Sequence, residues 1–311
     1  MCVTCGCSDG AQLTYTRPAK PVADTEPHSH THVLADGTVI THSHDRAAAS
    51  EGHPSHPHAH SADDPQNGHS VTTGAKVSAR SAAAHAHGTT LTLEQNLLAK
   101  NDLIAAQNRG WFKGRNMTAL NLVSSPGAGK TTLLVRTITD LRAELPIAVI
   151  EGDQETANDA ERIAATGCPT IQVNTGTGCH LEAAMVDRAL EELSPPENSL
   201  VLIENVGNLV CPALFDLGEN AKVAMLSVTE GEDKPIKYPH MFRASQVMVL
   251  TKIDLLPYVN FDVQQCLDYA YQVNPQLQVF QVSATTGEGL DAWYDWLKST
   301  VKWPGAVDTA C

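Results

Sequence analysis

Ser124-Ser125-Pro126-Gly127-Ala128-Gly129-Lys130-Thr131-Thr132 stands between an apolar run, Ala119 to Val123, and a helix-compatible stretch, Thr132 to Leu145. A strand, a glycine turn and a helix in that order build a phosphate-binding loop. Gly127 and Gly129 let backbone amides turn inward around anionic oxygens, and the helix start adds a partial positive charge. Ser124 stands where the first glycine of the pattern usually stands. Ala128 completes the turn, Lys130 is expected to meet the β and γ phosphates, and Thr131 to ligate magnesium, with Thr132 opening the helix beside them. The alternative is a plain glycine turn; the Gly-Lys-Thr ending argues for nucleotide.

Outward from this loop the chain alternates between short apolar runs and amphipathic stretches. Runs recur at Ile147 to Ile150, Thr170 to Val173, Leu200 to Ile203, Val223 to Val228, Val247 to Leu250 and Leu277 to Val282. Helix signals lie at Leu181 to Leu193, Phe261 to Val273 and Leu290 to Val301, and an earlier one over Leu93 to Ile104 ends near Gly110. This pattern predicts an α/β fold of the P-loop type: a mostly parallel sheet with helices on both faces and ligands at the carboxyl ends of the strands. At those ends sit Glu151-Gly152-Asp153 and Glu204-Asn205-Val206-Gly207. Asp153 is placed to reach the magnesium and the Gly207 amide to sense the γ phosphate, so Lys130, Asp153 and Glu204 are the candidate hydrolytic residues. Solvated loop carboxylates are the plainer reading.

The base is read from Thr251-Lys252-Ile253-Asp254 and Ser283-Ala284. Asp254 can accept paired hydrogen bonds from guanine N1–H and its amino group, a pair adenine lacks. The Lys252 stem can lie along the purine face, and the Ser283 and Ala284 amides would face guanine O6. GTP is therefore expected over ATP, although Thr251 stands where asparagine is usual.

Composition divides the chain. Of 14 histidines, 12 lie between His28 and His87, amid Ser, Thr, Ala, Gly, Pro and Asp with little apolar surface. Residues 11–90 are expected to be a disordered, histidine-rich metal-binding segment, since they offer too little apolar surface to offset chain entropy, between a cysteine motif at 1–10 and a P-loop GTPase domain at 91–311. Over 311 residues the formal charge is −14, which argues against nucleic-acid partners. No apolar run reaches membrane-spanning length and no secretory signal opens the chain, so a cytoplasmic protein is expected.

Eight cysteines in such a compartment point to metal or redox chemistry. Cys2, Cys5 and Cys7 can wrap one ion, with Gly6 permitting the turn and a terminal amine available as a fourth donor if Met1 is removed. Nickel(II) and zinc(II) both suit that set, and a redox thiol pair is the alternative. The histidine clusters suit loose storage of Ni2+, Zn2+ or copper. A second candidate site is Cys179-His180 with Cys211, its coordination to be completed across a symmetric dimer by a second Cys-His pair or by Cys211 from either chain. Cys168 and Cys266 look like packing thiols.

These pieces together resemble the HypB family, GTPases that help insert nickel into nickel–iron hydrogenase precursors. The likeness is carried by Ser125 to Thr132, Glu151 to Gln154, Gly178-Cys179-His180-Leu181, Glu204 to Pro212 and the leading Cys2, Cys5 and Cys7. The resemblance implies a homodimer, a tight nickel site at the amino end, and a weaker nickel or zinc site formed by Cys179, His180 and Cys211. It also implies as partners the hydrogenase large-subunit precursor and other maturation factors. A storage protein with an inactive nucleotide fold and a urease-type nickel GTPase are the alternatives. Cys211 follows Gly207 by four residues, at most about 14 Å of chain, so nucleotide state and metal geometry are expected to be coupled. Lys234 and Lys237 lie in a loop that would reach a nucleotide across a dimer.

Overall fold

Strands that bury both faces read as unbroken apolar runs, and the runs found in the sequence form the interior of one sheet. The computed structural model describes residues 13–18, 28–33, 39–44, 79–154 and 158–301. Two units divide the chain, one comprising Met1–Lys20 and Leu91–Cys311, the other Pro21–Thr90. In chain order, β1 (Thr14–Thr16), β2 (His28–Val33) and β3 (Val39–His44) precede α1 (Ala79–Gly114). Then come β4 (Thr118–Ser124), α2 (Lys130–Leu141), β5 (Ile147–Asp153), α3 (Asn158–Ala164) and β6 (Thr170–Asn174). Next are α4 (Ala183–Leu193), β7 (Leu200–Glu204), β8 (Ala221–Ser227), α5 (Lys234–Lys237), α6 (Pro239–Ala244) and β9 (Val247–Thr251). After them follow α7 (Val263–Val273), β10 (Gln278–Val282) and α8 (Leu290–Thr300). Short 3-10 turns occupy Cys211–Ala213 and Ile253–Tyr258.

Eight strands make the sheet, in the order β1-β6-β5-β7-β4-β8-β9-β10. All neighbours are parallel except β1, which runs antiparallel to β6. From β4 the chain winds outward through β5 to β6, returns to insert β7, then crosses to β8 and winds the other way. The carboxyl end of β4 is thus the point where the winding reverses, and there an open α/β sheet presents its crevice. Every residue of β4 is buried, so the phosphate loop springs from a strand packed on both faces.

Helices cover both faces. On one, α2 and α8 bury Leu134, Ile138, Trp293 and Leu297 against β4 and β8. On the other, Phe112 of α1 and Val186 and Leu190 of α4 pack on β5 to β7. A third cluster seats Met241, Phe242, Cys266 and Ala270 on β8 and β9. No helix among the described residues is long and apolar enough to cross a membrane.

Several boundaries differ from the sequence reading, each for a local reason. The first helix passes Gly110 and runs to Gly114, because Phe112 is buried and the Asn108 amide donates to the carbonyls of Ala183 and Leu217, anchoring the last turns. Helix α2 stops at Leu141 rather than Leu145, since Pro146 disfavours helical geometry just before it. Within the span expected to carry no regular structure, β1 pairs with β6, and β2 and β3 form a hairpin with His28 opposite His44 and His30 opposite His42. The alternation of His with Ser, Thr and Val has the two-residue period a strand accepts. Cys2, Cys5, Cys7 and the remaining histidine clusters lie outside the described residues. Cys266 is fully buried, and the half-buried Cys168 thiol donates to the Ile147 carbonyl at 3.1 Å.

Trp293 ties α8 to α2: its indole N–H donates to Thr137 Oγ1 at 3.1 Å and its ring packs on Phe280 and Trp296. Trp293→Ala should cost about 3–5 kcal/mol, and Thr137→Ala about 1 kcal/mol. Both would be read as shifts in the urea unfolding midpoint.

Candidate functional site

The phosphate loop is closed by its own side chains. Lys130 Nζ donates to Ser124 Oγ at 2.9 Å, and Ser124 Oγ donates to the Ser125 carbonyl at 2.6 Å. Serine at the usual glycine position therefore aims the lysine. Gly127 (φ 77°) and Gly129 (φ 95°) occupy the left-handed region that favours glycine. From β9, Thr251 Oγ1 donates to the Ala128 carbonyl at 2.7 Å, and Lys252 Nζ to the Gly127 carbonyl at 2.8 Å. Thr251, expected among the base-reading residues, thus spends its hydroxyl bracing the loop. Opposite, Gly207 lies so close that a Cβ there would come within 3.0 Å of Pro126 Cα.

Two cavities flank the loop and share Gly129, Thr132 and Lys252. The larger, about 440 Å³, is bounded by Lys130, Thr131, Glu151, Asp153, Glu204 and Gly207 among others. The smaller, about 290 Å³, is bounded by Asp254, Leu255, Val282, Ala284 and Thr285 as well as Thr251. A polar half and a more enclosed, more apolar half joined at the start of a helix match a phosphate chain and a purine. One expected contact is redirected: the Ser283 amide donates to the Glu288 carbonyl at 2.9 Å, and Ser283 Oγ accepts from Thr286. Buried Ser283 shapes the turn, and Ala284 and Thr285 face the base cavity.

Acidic groups beneath the phosphate half define its electrostatics. Thr131 Oγ1 donates to Glu204 Oε1 at 2.8 Å. Burial pushes the Glu204 carboxyl up to about 7, against the opposing charge of Lys130 and the Thr131 bond. Burial, reinforced by Glu204 and Asp153, pushes Glu151 up to about 9. One oxygen of each, Oε2, is buried without a hydrogen-bond partner. Carboxylates beside a phosphate cradle repel its ligand unless a cation lies between, and the orphaned oxygens together with Thr131 and Asp153 are the hard oxygen donors a magnesium ion takes. The residues fit that ion.

The structure adds residues the sequence reading passed over. Gln154, Asp159 and Arg162 border the phosphate cavity; Arg162 pairs with Asp159 at 3.0 Å and donates to Thr132 Oγ1 at 3.3 Å. Arg136 of α2 donates to the Ala284 carbonyl at 3.1 Å and pairs with Asp140 at 2.7 Å, holding the base loop. Lys234, expected to reach across a dimer, lies against its own chain's loop, 3.3 Å from Ser125 Oγ and 3.3 Å from Glu230. Lys237 pairs with Asp233 at 2.6 Å. Asp159, Arg162 and Arg136 belong to no contiguous motif, so spacing could not reveal them; Gln154 closes the Glu151-to-Gln154 stretch, which by itself assigned it no role.

Beside the phosphate cavity, the loop after β6 and the loop after β7 bring Cys179, His180 and Cys211 together, with their donor atoms within 4.8 Å of one another. The sulfurs are 3.1 Å apart, and His180 Nδ1 is 3.6 Å from Cys179 Sγ. Burial pushes the His180 pKa down to about 4, so the imidazole is neutral and able to ligate. Its ring lies against Phe215, centroids 4.0 Å apart, and its Nε2 has no hydrogen-bond partner. Asn208 donates to the Cys179 carbonyl at 3.3 Å, and buried Lys222 donates to the carbonyls of Pro212 and Phe215, pinning the Cys211 turn. Two thiols and an imidazole are a soft set that suits zinc or nickel. Of the arrangements the sequence left open, one chain brings Cys211 beside its own Cys179-His180 pair, which gives three donors and leaves a fourth position for another ligand.

Residues 118–281 match the family model described as CobW/HypB/UreG, nucleotide-binding domain. The chain is similar to the hydrogenase maturation factor HypB of Escherichia coli (strain K12), 57% identical over 222 residues that make up 70% of this chain and 77% of that protein. Among solved structures, the hydrogenase maturation factor HypB from Archaeoglobus fulgidus superposes with a TM-score of 0.62 at 37% identity, covering 65% of this chain and 99% of that one. HypB from Helicobacter pylori, solved in complex with nickel, does so with a TM-score of 0.61 at 35% identity, covering 64% and 94%.

Glu151 gives a pH signature. Its folded pKa is raised to about 9 from 4.5, so the folded chain keeps a proton that the unfolded chain releases. The associated stability is complete below pH 4.5 and is lost as pH rises toward 9. Urea unfolding at pH 5, 7 and 9 should show this decline without magnesium, and Glu151→Gln should flatten it. An unchanged slope in that variant would place the ionisation elsewhere.

Proposed function

Since the chain belongs to the CobW/HypB/UreG family and, within it, to the HypB hydrogenase maturation factors, we propose that it hydrolyses GTP and uses the nucleotide state to control nickel delivery to a nickel–iron hydrogenase precursor. The observation that carries this reading is the adjacency of the phosphate cavity and the Cys179-His180-Cys211 cluster, both hung from the carboxyl ends of β5, β6 and β7. Nickel in the Helicobacter pylori relative supports nickel as cargo here; zinc suits the same donors.

In this mechanism Asp254 and Ala284 select guanine in the smaller cavity, with the Lys252 stem along the ring. Lys130, aimed by Ser124, meets the β and γ phosphates as charge develops on them. Thr131, Asp153 and Glu204 would hold magnesium, which supplies neutralisation of the phosphate charge. Gly207, flush against Pro126, reports the γ phosphate and passes its loss along the short segment to Cys211. Reciprocity requires that metal at the cluster alter the relative affinity for GTP and GDP.

Around this core we place Cys2, Cys5 and Cys7 as the tighter nickel site and the histidine segment as storage capacity. We further propose that the chain works as a cytoplasmic homodimer with other maturation factors. The fourth position of the inner cluster suits a partner or acceptor ligand, since exposed Val210 and Leu214 flank Cys211.

Lys130→Ala should lower kcat/KM for GTP at least about 100-fold while nickel stoichiometry stays constant. Nickel release to a chromogenic chelator should differ between GTP- and GDP-loaded protein, and Cys211→Ser should remove that difference. Identical release rates in both nucleotide states would leave nickel storage as the function.

A further inference from the structure

We propose that Gln154 is the positioning residue through which the phosphate cavity sets the geometry of Cys179 and His180; this rests on the coupling just described and names a route for it other than the Gly207–Cys211 segment. Gly152-Asp153-Gln154 is where β5 ends. Its middle residue borders the phosphate cavity beside Glu151 and Glu204. Its two outer residues touch the metal loop on either side of the ligand pair. Gln154 Nε2 donates to the Gly178 carbonyl at 3.2 Å, immediately before Cys179. Gly152 lies under Leu181, immediately after His180, so closely that a Cβ would come within 2.9 Å of three Leu181 carbons. Cys179 and His180 are therefore bracketed by contacts from one strand end.

The bracket is stiff everywhere except at Gln154. The Thr175 amide donates to the Asp153 carbonyl at 2.8 Å, continuing the β5–β6 pairing of Asp153 with Asn174. The Gly178 amide donates to the Thr175 carbonyl at 2.9 Å, and Thr175 Oγ1 donates to the Gly178 carbonyl at 2.9 Å. A Cβ on Gly178 would sit 3.0 Å from the Thr175 oxygen, so the turn has no slack. On the far side, the fully buried Asn205 carboxamide oxygen accepts the Leu181 amide at 3.0 Å. These bonds lie in packed backbone. Gln154 is instead exposed and borders the nucleotide cavity itself. Its carboxamide has two kinds of partner within reach, the Gly178 carbonyl and the phosphate chain in the cavity. Turning toward the phosphates withdraws it from Gly178 and leaves the Gly178 carbonyl to Thr175 Oγ1 alone, removing the one restraint on the ligand turn that comes from the cavity side; loss of the γ phosphate returns it. Cys211 would then be moved from the β7 side and Cys179-His180 from the β5 side.

The test uses the full chain. Dissociation constants for GDP and for a non-hydrolysable GTP analogue are measured with and without saturating Ni2+, and the readout is the metal-induced change in their ratio. A uniform change in nucleotide affinity cancels in this quantity, so a merely structural role would not move it. The unsubstituted chain should show at least about a fivefold change, and Cys211→Ser should abolish it. Gln154→Ala and Gln154→Glu, which cannot donate to Gly178, should at least halve it, the remainder running through the Gly207–Cys211 segment. The thiolate-to-nickel absorption that Cys211→Ser removes should persist in both Gln154 variants. A wild-type ratio change in Gln154→Ala overturns the proposal, as does loss of that absorption, which would make Gln154 a support of the site. No change in the unsubstituted chain removes the coupling itself and any role for Gln154 with it.

Discussion

Two buried carboxylates facing a cradle shaped for phosphate is the electrostatic constraint from which the rest of the molecule follows. Glu151 and Glu204 each keep a buried oxygen without a partner beneath the loop that Lys130 and Thr131 open. A buried unpaired carboxylate is costly and tends to take up a proton, as the raised Glu151 and Glu204 values show. Bringing phosphate and a divalent cation together resolves the repulsion, because the cation gives the carboxylates and the phosphates a shared counter-charge. The ends of β5 and β7, which carry these carboxyls, are therefore where a bound phosphate chain and cation would change the electrostatics most.

Strand order brings the phosphate cavity and the Cys179-His180 loop into contact. Insertion of β7 between β5 and β4 places Asp153 and Glu204 on neighbouring strand ends, and each of those ends continues into contact with the metal loop. On the β5 side the contacts are Gln154 to Gly178 and Gly152 to Leu181; on the β7 side they are Asn205 to Leu181 and Asn208 to Cys179. Asn205 also donates to Asn121 of β4, which in turn donates to Glu219, the partner of Lys222 beneath the Cys211 turn. A buried polar chain of this kind is satisfied along its length and so transmits displacement rather than absorbing it. Thiol and imidazole donors cluster around Cys179 while carboxyl donors gather at the strand ends, two donor sets of different softness.

Much of this architecture was legible in the chain. The apolar runs marked every central strand because a strand buried on both faces has no other composition. The glycine turn marked the nucleotide loop because φ near 90° and an inward row of amides require those residues. Elements held mainly by distant contacts were not legible. The last turns of α1 depend on Asn108 reaching Ala183 and Leu217, and β1 exists because β6 offers an edge. Short α5 and α6 carry too few residues for a period to emerge.

The same division runs through the site. The sequence alone determined what is local in the chain: the phosphate loop, the strand-end carboxylates, the Asp254 that lines the smaller cavity and the adjacent Cys-His pair, since each is set by residues within a turn of one another. Tertiary structure alone decided that Cys211 comes beside that pair, that Thr251 braces the phosphate loop, and that Gln154 borders the phosphate cavity while donating to the Gly178 carbonyl. Those outcomes depend on distances between residues tens of positions apart, and such distances are fixed by how strands are ordered in the sheet, which no local pattern of side chains encodes.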